Sequence, residues 1–221
     1  MEGERQAIYR ELHRSARKIF PRRKFDMRSL NDSWQSDLID MQNYSRLNKG
    51  YKYILVAINN FSKFAYVEAL KSKSGPEVAQ AFERILKRAP VPQNLQTDKG
   101  LEYFNQHFKL MRKYNINHYS THSDIKCFFA ERFNRTYKGL LYKNFSLKGR
   151  FEWLSDMQRL ANLYNHTVHS KIKMTPADVS KKNERQIMRE IYPVVIKMKT
   201  DKFNVGDKVR GRTSFLRYTR N

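Results

Sequence analysis

The sequence predicts an α/β fold: a mixed five-stranded sheet flanked by helices. Three consecutive strand-like runs, 34–43, 51–58 and 64–70, are joined by short links, the pattern of an antiparallel meander. Beyond them the apolar period alternates between helix and strand and ends in two long helical patterns, the order of an α/β chain. The composition, 40% hydrophobic and 13% aromatic, can fill a packed core, which excludes wholesale disorder.

Each element has a local reason. Residues 7–19 read as a short helix that stops at Pro21, because proline disfavours helix in the residue before it. The basic run Pro21-Arg22-Arg23-Lys24 then reads as an extended arm. Tyr53 to Ile58 is the longest clean apolar run and reads as a buried strand, preceded by Asn48-Lys49-Gly50 and followed by Asn59-Asn60 and Ser62. Ser74-Gly75-Pro76-Glu77 opens a helix, since proline suits the first turn and an acid there favours the helix dipole. Val78, Phe82, Ile85 and Leu86 form its apolar stripe, and it ends near Ala89, before Pro90 and Pro92. Asn94 to Thr97 is a short strand ending at Asp98. A helix over 103–113 presents Phe104, Phe108 and Met111, and 116–120 is the fifth strand. Helical patterns follow over 128–145 and 151–164, and Thr175-Pro176-Ala177-Asp178 opens a last short helix. The expected organisation is a basic arm over 1–32, a catalytic-type core over 33–180 and a basic linker over 181–221.

Lysine and arginine number 44 against 21 acids, a formal charge of +23. That surplus predicts a polyanionic partner, nucleic acid before others, with a basic ribosomal-type protein as the competing explanation. The longest apolar run falls far short of the roughly 18 residues of a membrane-spanning helix. No secretory signal is expected, since Met1 is followed by Glu2 and Glu4 without an apolar stretch. Cys127 is the sole cysteine, which excludes an intramolecular disulfide framework and a cysteine-rich zinc site. His166 and His169 stand three apart, but no further ligand is evident and they read as structural.

Chemistry on a phosphodiester needs a nucleophile, a stabilised leaving oxygen and neutralised phosphate charge, which two divalent ions held by a few carboxylates can supply. Three acids fit that need. Asp37 lies inside the first strand, where aspartate is disfavoured. Asp98 ends a short strand, and open α/β sheets place ligands at the carboxyl ends of their strands. Glu131 lies near the start of a long helix, on a different face from Phe129, Phe133 and Tyr137, with Arg135 and Lys138 four and seven residues on. Each also has an ordinary reading: Asp98 as a turn or cap residue, Glu131 as the partner of Arg135, Asp37 as the partner of a buried arginine. Asp40 is a rival in the same strand, on the opposite face from Asp37.

Five motifs in order change the weight of those readings. Trp34-Gln35-Ser36-Asp37-Leu38-Ile39-Asp40-Met41, Asn60-Phe61-Ser62-Lys63-Phe64, Thr97-Asp98-Lys99-Gly100 with Glu102-Tyr103-Phe104, Glu131-Arg132-Phe133-Asn134-Arg135-Thr136, and Tyr164-Asn165-His166-Thr167 with His169 and Thr175-Pro176 resemble the catalytic core of retroviral-type integrases. The likeness is greatest to those of Polinton (Maverick) elements and virophages. It covers roughly 33–179 and implies an RNase H-like fold, with two parallel strands beside the meander. It also implies a DDE triad of Asp37, Asp98 and Glu131, all ligands of two Mg²⁺ or Mn²⁺ ions.

The implied reaction is trimming of an element's 3′ end by water, then in-line attack of the freed 3′-hydroxyl on target DNA. The implied partner is double-stranded DNA, both element ends and target, held by a homodimer or higher oligomer acting in the nucleus, or in a viral particle and then the host nucleus. Lys99, Asn134, Arg135 and Lys138 are expected to meet phosphates near the site, and Arg22, Arg23 and Lys24 to hold DNA backbone away from it. The alternatives are an integrase-derived DNA-binding protein that no longer catalyses, and a structure-specific nuclease of the same fold.

Some departures belong to the same reading. Asn59 stands where relatives often carry aspartate, and the spacing from Asp98 to Glu131 is a few residues shorter than in retroviral integrases. Such integrases usually begin with a His-His-Cys-Cys zinc domain, which one cysteine cannot build. Residues 203–210 resemble the first strand of an SH3-like C-terminal domain, and the 203–221 stretch is expected to be too short for that barrel.

Overall fold

The computed structural model describes residues 27–103, 105, 109–120 and 127–192. The expected arm helix over 7–19, the basic run at Arg22, Arg23 and Lys24, and the stretch 203–221 lie outside these residues.

Five strands form one sheet: β1 (Ser33–Asp40), β2 (Tyr53–Asn59), β3 (Ala65–Leu70), β4 (Asn94–Thr97) and β5 (Asn117–Ser120). Their spatial order is β3-β2-β1-β4-β5. β1, β2 and β3 pair antiparallel, while β4 lies parallel to both β1 and β5. The sheet is therefore the mixed one expected, a meander continued by two parallel strands. The continuous apolar run of β2 follows from cover on both faces. Ile54, Val56 and Ile58 join one core with Phe133, Tyr137 and Leu141, while Leu55 and Ala57 join the other with Val78, Phe82 and Ile85.

The helices are α1 (Gly75–Leu86), α2 (Leu110–Lys113), α3 (Phe128–Lys148), α4 (Met157–Asn165) and α5 (Glu184–Ile191), with short 3₁₀ turns at Gln42–Asn48 and Pro176–Asp178. α3 ends at Gly149, whose φ of +64° suits the left-handed cap. α1 is tied to β3 through buried Glu68, which pairs with Arg84 and Arg88.

Three expected boundaries move, each for a tertiary reason. Tyr103 lies in a turn rather than at the start of a helix, because it is drawn inward to meet the Ser36 hydroxyl at 3.2 Å. α4 starts at Met157 rather than near Phe151, because Trp153 N and Leu154 N donate to Asn48 Oδ1 at 2.7 and 3.0 Å and keep that stretch out of the helix. Residues 184–191, assigned by sequence to a linker, form a helix packed on the core. There Ile187 packs with Met27 and Phe61, Leu30 N donates to Glu184 Oε1 at 2.6 Å, and Tyr192 donates to Phe61 O at 3.0 Å.

Asp156, just before α4, clamps the end of α3. Its carboxylate accepts from Lys148 Nζ at 2.6 Å, Asn144 Nδ2 at 3.0 Å and Arg159 Nη2 at 3.0 Å. The Lys148 bond first, then those from Asn144 and Arg159, pulls its pKa from 3.8 down to about 2. A depressed carboxylate contributes stability that is full above its ordinary pKa and is lost as pH falls through the folded one. Urea midpoints measured against pH should therefore fall between about 4 and 2, and Asp156→Asn should be less stable at pH 7 with a shallower acid limb.

Candidate active site

Strand register brings the first two acids together. β1 and β4 pair Ser33 with Asn94, Trp34 with Leu95 and Gln35 with Gln96. The same parallel register carried two residues further sets Asp98 beside Asp37, where β4 has ended. Asp37 shares its face of β1 with Gln35 and Ile39, the face that α3 covers. Asp40, on the other face, is exposed and accepts from Gln42 N and Gln42 Nε2, both at 2.9 Å, so the rival acid closes a local turn.

The third acid arrives on α3, and Gln35 anchors it. Glu131 is in the first turn of that helix. Gln35 Oε1 accepts from Phe129 N at 2.8 Å and Ala130 N at 3.2 Å, satisfying helix N–H groups that have no partner within the helix. Gln35 Nε2 donates to Gln96 Oε1 at 3.0 Å, so one fully buried side chain ties β1, β4 and α3 at the site. Sequence reading missed this role, although glutamine at the interior of a strand two residues before Asp37 was a visible signal. Cys127 was also missed beyond its burial: its thiol donates to Gln96 O at 3.7 Å and also bonds Asp98.

The electrostatics report the convergence. Burial raises the Asp37 carboxyl above its ordinary range, and the charges of Asp98 and Glu131 add to that rise. Leu38 N–H, donating to Oδ1 at 2.8 Å, and the charge of Lys138 act the other way. Burial likewise pushes the Cys127 thiol up, followed by Asp98 and Asp37, with Glu131 contributing less. His118, beside β4 and 2.8 Å from the Thr97 hydroxyl, is lowered by burial to about 4 and is neutral at pH 7.

Asn134, expected at phosphate, instead donates to Asp37 Oδ2 at 2.7 Å, and its own buried Oδ1 has no partner among the described residues. Arg135 and Lys99 are exposed, while Lys138 is half-buried and faces Asp37 closely enough to act on it. Glu131 and Arg135 form no ion pair, which removes the ordinary reading of that acid. Asn59 shapes the β2–β3 turn: its Oδ1 accepts from Phe61 N and Ser62 N, and its Nδ2 donates to Leu30 O.

As the side chains stand, no three His, Cys, Asp or Glu groups among the described residues are drawn together tightly enough to hold a metal ion. The donor set still fits one: three carboxylates offer only hard oxygens, the ligands Mg²⁺ prefers, and the like charge around Asp37 is what a divalent cation relieves.

The five-stranded sheet, its order and these positions invite comparison with known proteins. Residues 28–124 match the integrase core domain family. The fold is that of integrase catalytic cores, an RNase H-like fold. The family match spans Asp37 and Asp98, and Glu131 lies beyond it. Among solved structures, the HTLV-2 integrase catalytic core domain in complex with magnesium, in its trimeric form, matches with a TM-score of 0.58 and 23% identity, covering 69% of this chain and 99% of that one. The intasome of simian T-cell lymphotropic virus in complex with the PP2A regulatory subunit B56 gamma matches with a TM-score of 0.64 and 20% identity, covering 82% of this chain and 68% of that one. A transposon-derived protein of Caenorhabditis elegans is 37% identical over 173 residues. That alignment takes in 77% of this chain, which spans 58% of the length of that relative. A retroviral-type integrase core is what these likenesses support.

Proposed function

We propose that this integrase core is a DDE-type polynucleotidyl transferase that processes the 3′ ends of a mobile element and joins them to target DNA, in the nucleus and as a dimer or larger assembly. The reading rests on one observation: Asp37, Asp98 and Glu131, separated by 61 and 33 positions in sequence, are near enough that the charges of Asp98 and Glu131 act on Asp37. The HTLV-2 core in complex with magnesium, known in trimeric and dimeric forms, and the simian virus intasome support extending metal, oligomer and DNA to this chain. The transposon origin of the nematode relative supports a mobile-element source, and the Polinton type is part of the same proposal.

Asp37, Asp98 and Glu131 would hold Mg²⁺ or Mn²⁺, which when bound supplies a Lewis acid for the attacking and leaving oxygens. The chain's own groups do the rest. Asn134 and Leu38 N–H aim the two oxygens of Asp37, so its carboxylate is oriented before substrate arrives. Gln35 keeps α3, and with it Glu131, against β1 and β4. Lys138, Lys99 and Arg135 supply positive charge around the acids, suited to positioning phosphates in line.

The test is incubation with Mg²⁺ or Mn²⁺, a labelled element-end duplex and a target plasmid. Joined products are expected, and they should fall by on the order of 10³-fold or more in Asp98→Asn and Glu131→Gln, as charge stabilisation at the reacting phosphate is lost. Cleavage without joining would make the chain a nuclease, and salt-sensitive binding without products would make it a DNA-binding derivative. Activity that survives either substitution would overturn the triad.

A further inference from the structure

A second basic centre lies on another face of α3. A cavity of about 330 Å³ opens between the β2–β3 turn, α3 and the segment after α4. Its basic lining is Lys63, Arg132, His169 and Lys171, its aromatic wall includes Phe129 and Tyr164, and no acid among the described residues lines it.

Lys63 is the unusual member. Only 3% of it is exposed, and its backbone φ of +63° turns the chain so that the side chain runs inward. Its ammonium donates to Asn60 O and sits 3.6 Å over the Phe129 ring. Among the described residues no carboxylate pairs with Lys63, Arg132 or Lys171. Burial drives the Lys63 pKa well down, and Lys171 and Arg132 drive it further. His169 is lowered by burial and then by Lys63 and Arg132. Its Nδ1 accepts from Lys171 N at 3.2 Å, which leaves Nε2 as the protonated nitrogen of the neutral ring.

Exposed lysines are unremarkable in a chain of charge +23, but a buried one without a counter-ion is costly. The cost is recovered when an anion enters. We propose that this cavity is a phosphate-binding site, distinct from the three carboxylates. A phosphoryl group presents several acceptor oxygens at once, which suits two ammoniums, a guanidinium and an imidazole N–H converging from three segments. A carboxylate would satisfy fewer of them. The same helix serves both centres: Asn134 turns to Asp37, while Arg132 and Phe133 turn to the cavity. The phosphoryl group can belong to a DNA strand or to a free phosphate or nucleotide. The site stands apart from the proposed catalysis, so loss of strand transfer leaves it intact.

The test uses the full chain and inorganic phosphate at chloride-matched ionic strength. Saturable binding is expected, with a Tm rise of about 3–5 °C at roughly ten times the half-saturating concentration, and a movement of the His169 Nε2 resonance. Arg132→Ala with Lys171→Ala, both exposed in the structure, should keep the fold and weaken phosphate at least about tenfold. Asp98→Asn should bind phosphate as the parent chain does. Competition by an oligonucleotide lacking terminal phosphates assigns the site to DNA backbone; competition only by thymidine 5′-monophosphate assigns it to a free phosphate monoester. Either supports the site. No shift beyond that of chloride, undiminished affinity in the double variant, or acetate binding as tightly as phosphate would overturn it.

Discussion

Asp37→Asn is expected to abolish strand transfer and, at the same time, to make the metal-free protein more stable. The activity should fall by on the order of 10³-fold or more, because the substitution removes a carboxylate aimed at the reacting phosphate. The Tm without metal should rise. The reason is the cost that the native site carries. Burial and the charges of Asp98 and Glu131 both oppose ionisation of Asp37. An amide is spared that cost and can still be satisfied: Asn134 Oδ1 has no partner among the described residues and, with the amide turned, accepts from the new side chain. The sign in pH follows from the raised carboxyl. The folded state holds the Asp37 proton more tightly than the unfolded chain, so the parent loses stability as pH rises through the folded pKa. The advantage of Asp37→Asn should therefore be full above the folded pKa and vanish as pH falls towards 3.8, the ordinary value. Scanning calorimetry across pH, with and without Mg²⁺, checks each part. A metal-induced stabilisation that persists in Asp37→Asn would sink the assignment of Asp37 as a ligand.

Gln35→Leu should do the opposite to stability. The replacement nearly preserves volume but removes the acceptor of part-buried Phe129 N and of buried Ala130 N, and the donor to Gln96 Oε1. With buried Ala130 N left without its acceptor, the loss should be at least about 1 kcal/mol, lowering the Tm by about 2–4 °C or more. Activity should fall by more than the unfolded fraction explains, because Gln35 is what sets the start of α3, and Glu131 with it, against β1. Loss of such a supporting bond should also weaken apparent Mg²⁺ affinity by about 10–100-fold. A cycle with Gln96→Ala should show coupling, since the two side chains share a bond. Additive losses would mean that Gln35 and Gln96 act separately.

Much of the fold was legible because its signals are local. The link residues before and after β2 marked the meander, and the covered β2 run showed as unbroken hydrophobicity. The stripe of Val78, Phe82, Ile85 and Leu86 marked α1. The moved boundaries had non-local causes: the Asn48 side chain reaches Trp153 across 105 positions, and the Tyr103 hydroxyl reaches Ser36 across 67. No window of sequence holds both partners of such a bond.

The candidate site divides the same way. By itself the sequence determined which acids were suspect, since an aspartate inside a strand, one at a strand end and a glutamate opening a helix each conflict with, or punctuate, a local pattern. Only the tertiary structure decided that Asp37 faces α3 while Asp40 closes a turn, that Asn134 serves Asp37 rather than phosphate, and that Lys63 is buried among other cations. Local pattern depends on the residues next along the chain. The protonation state of a carboxylate or a lysine depends on charge and water within a few ångströms, and at this site those neighbours come from strands and helices distant in sequence.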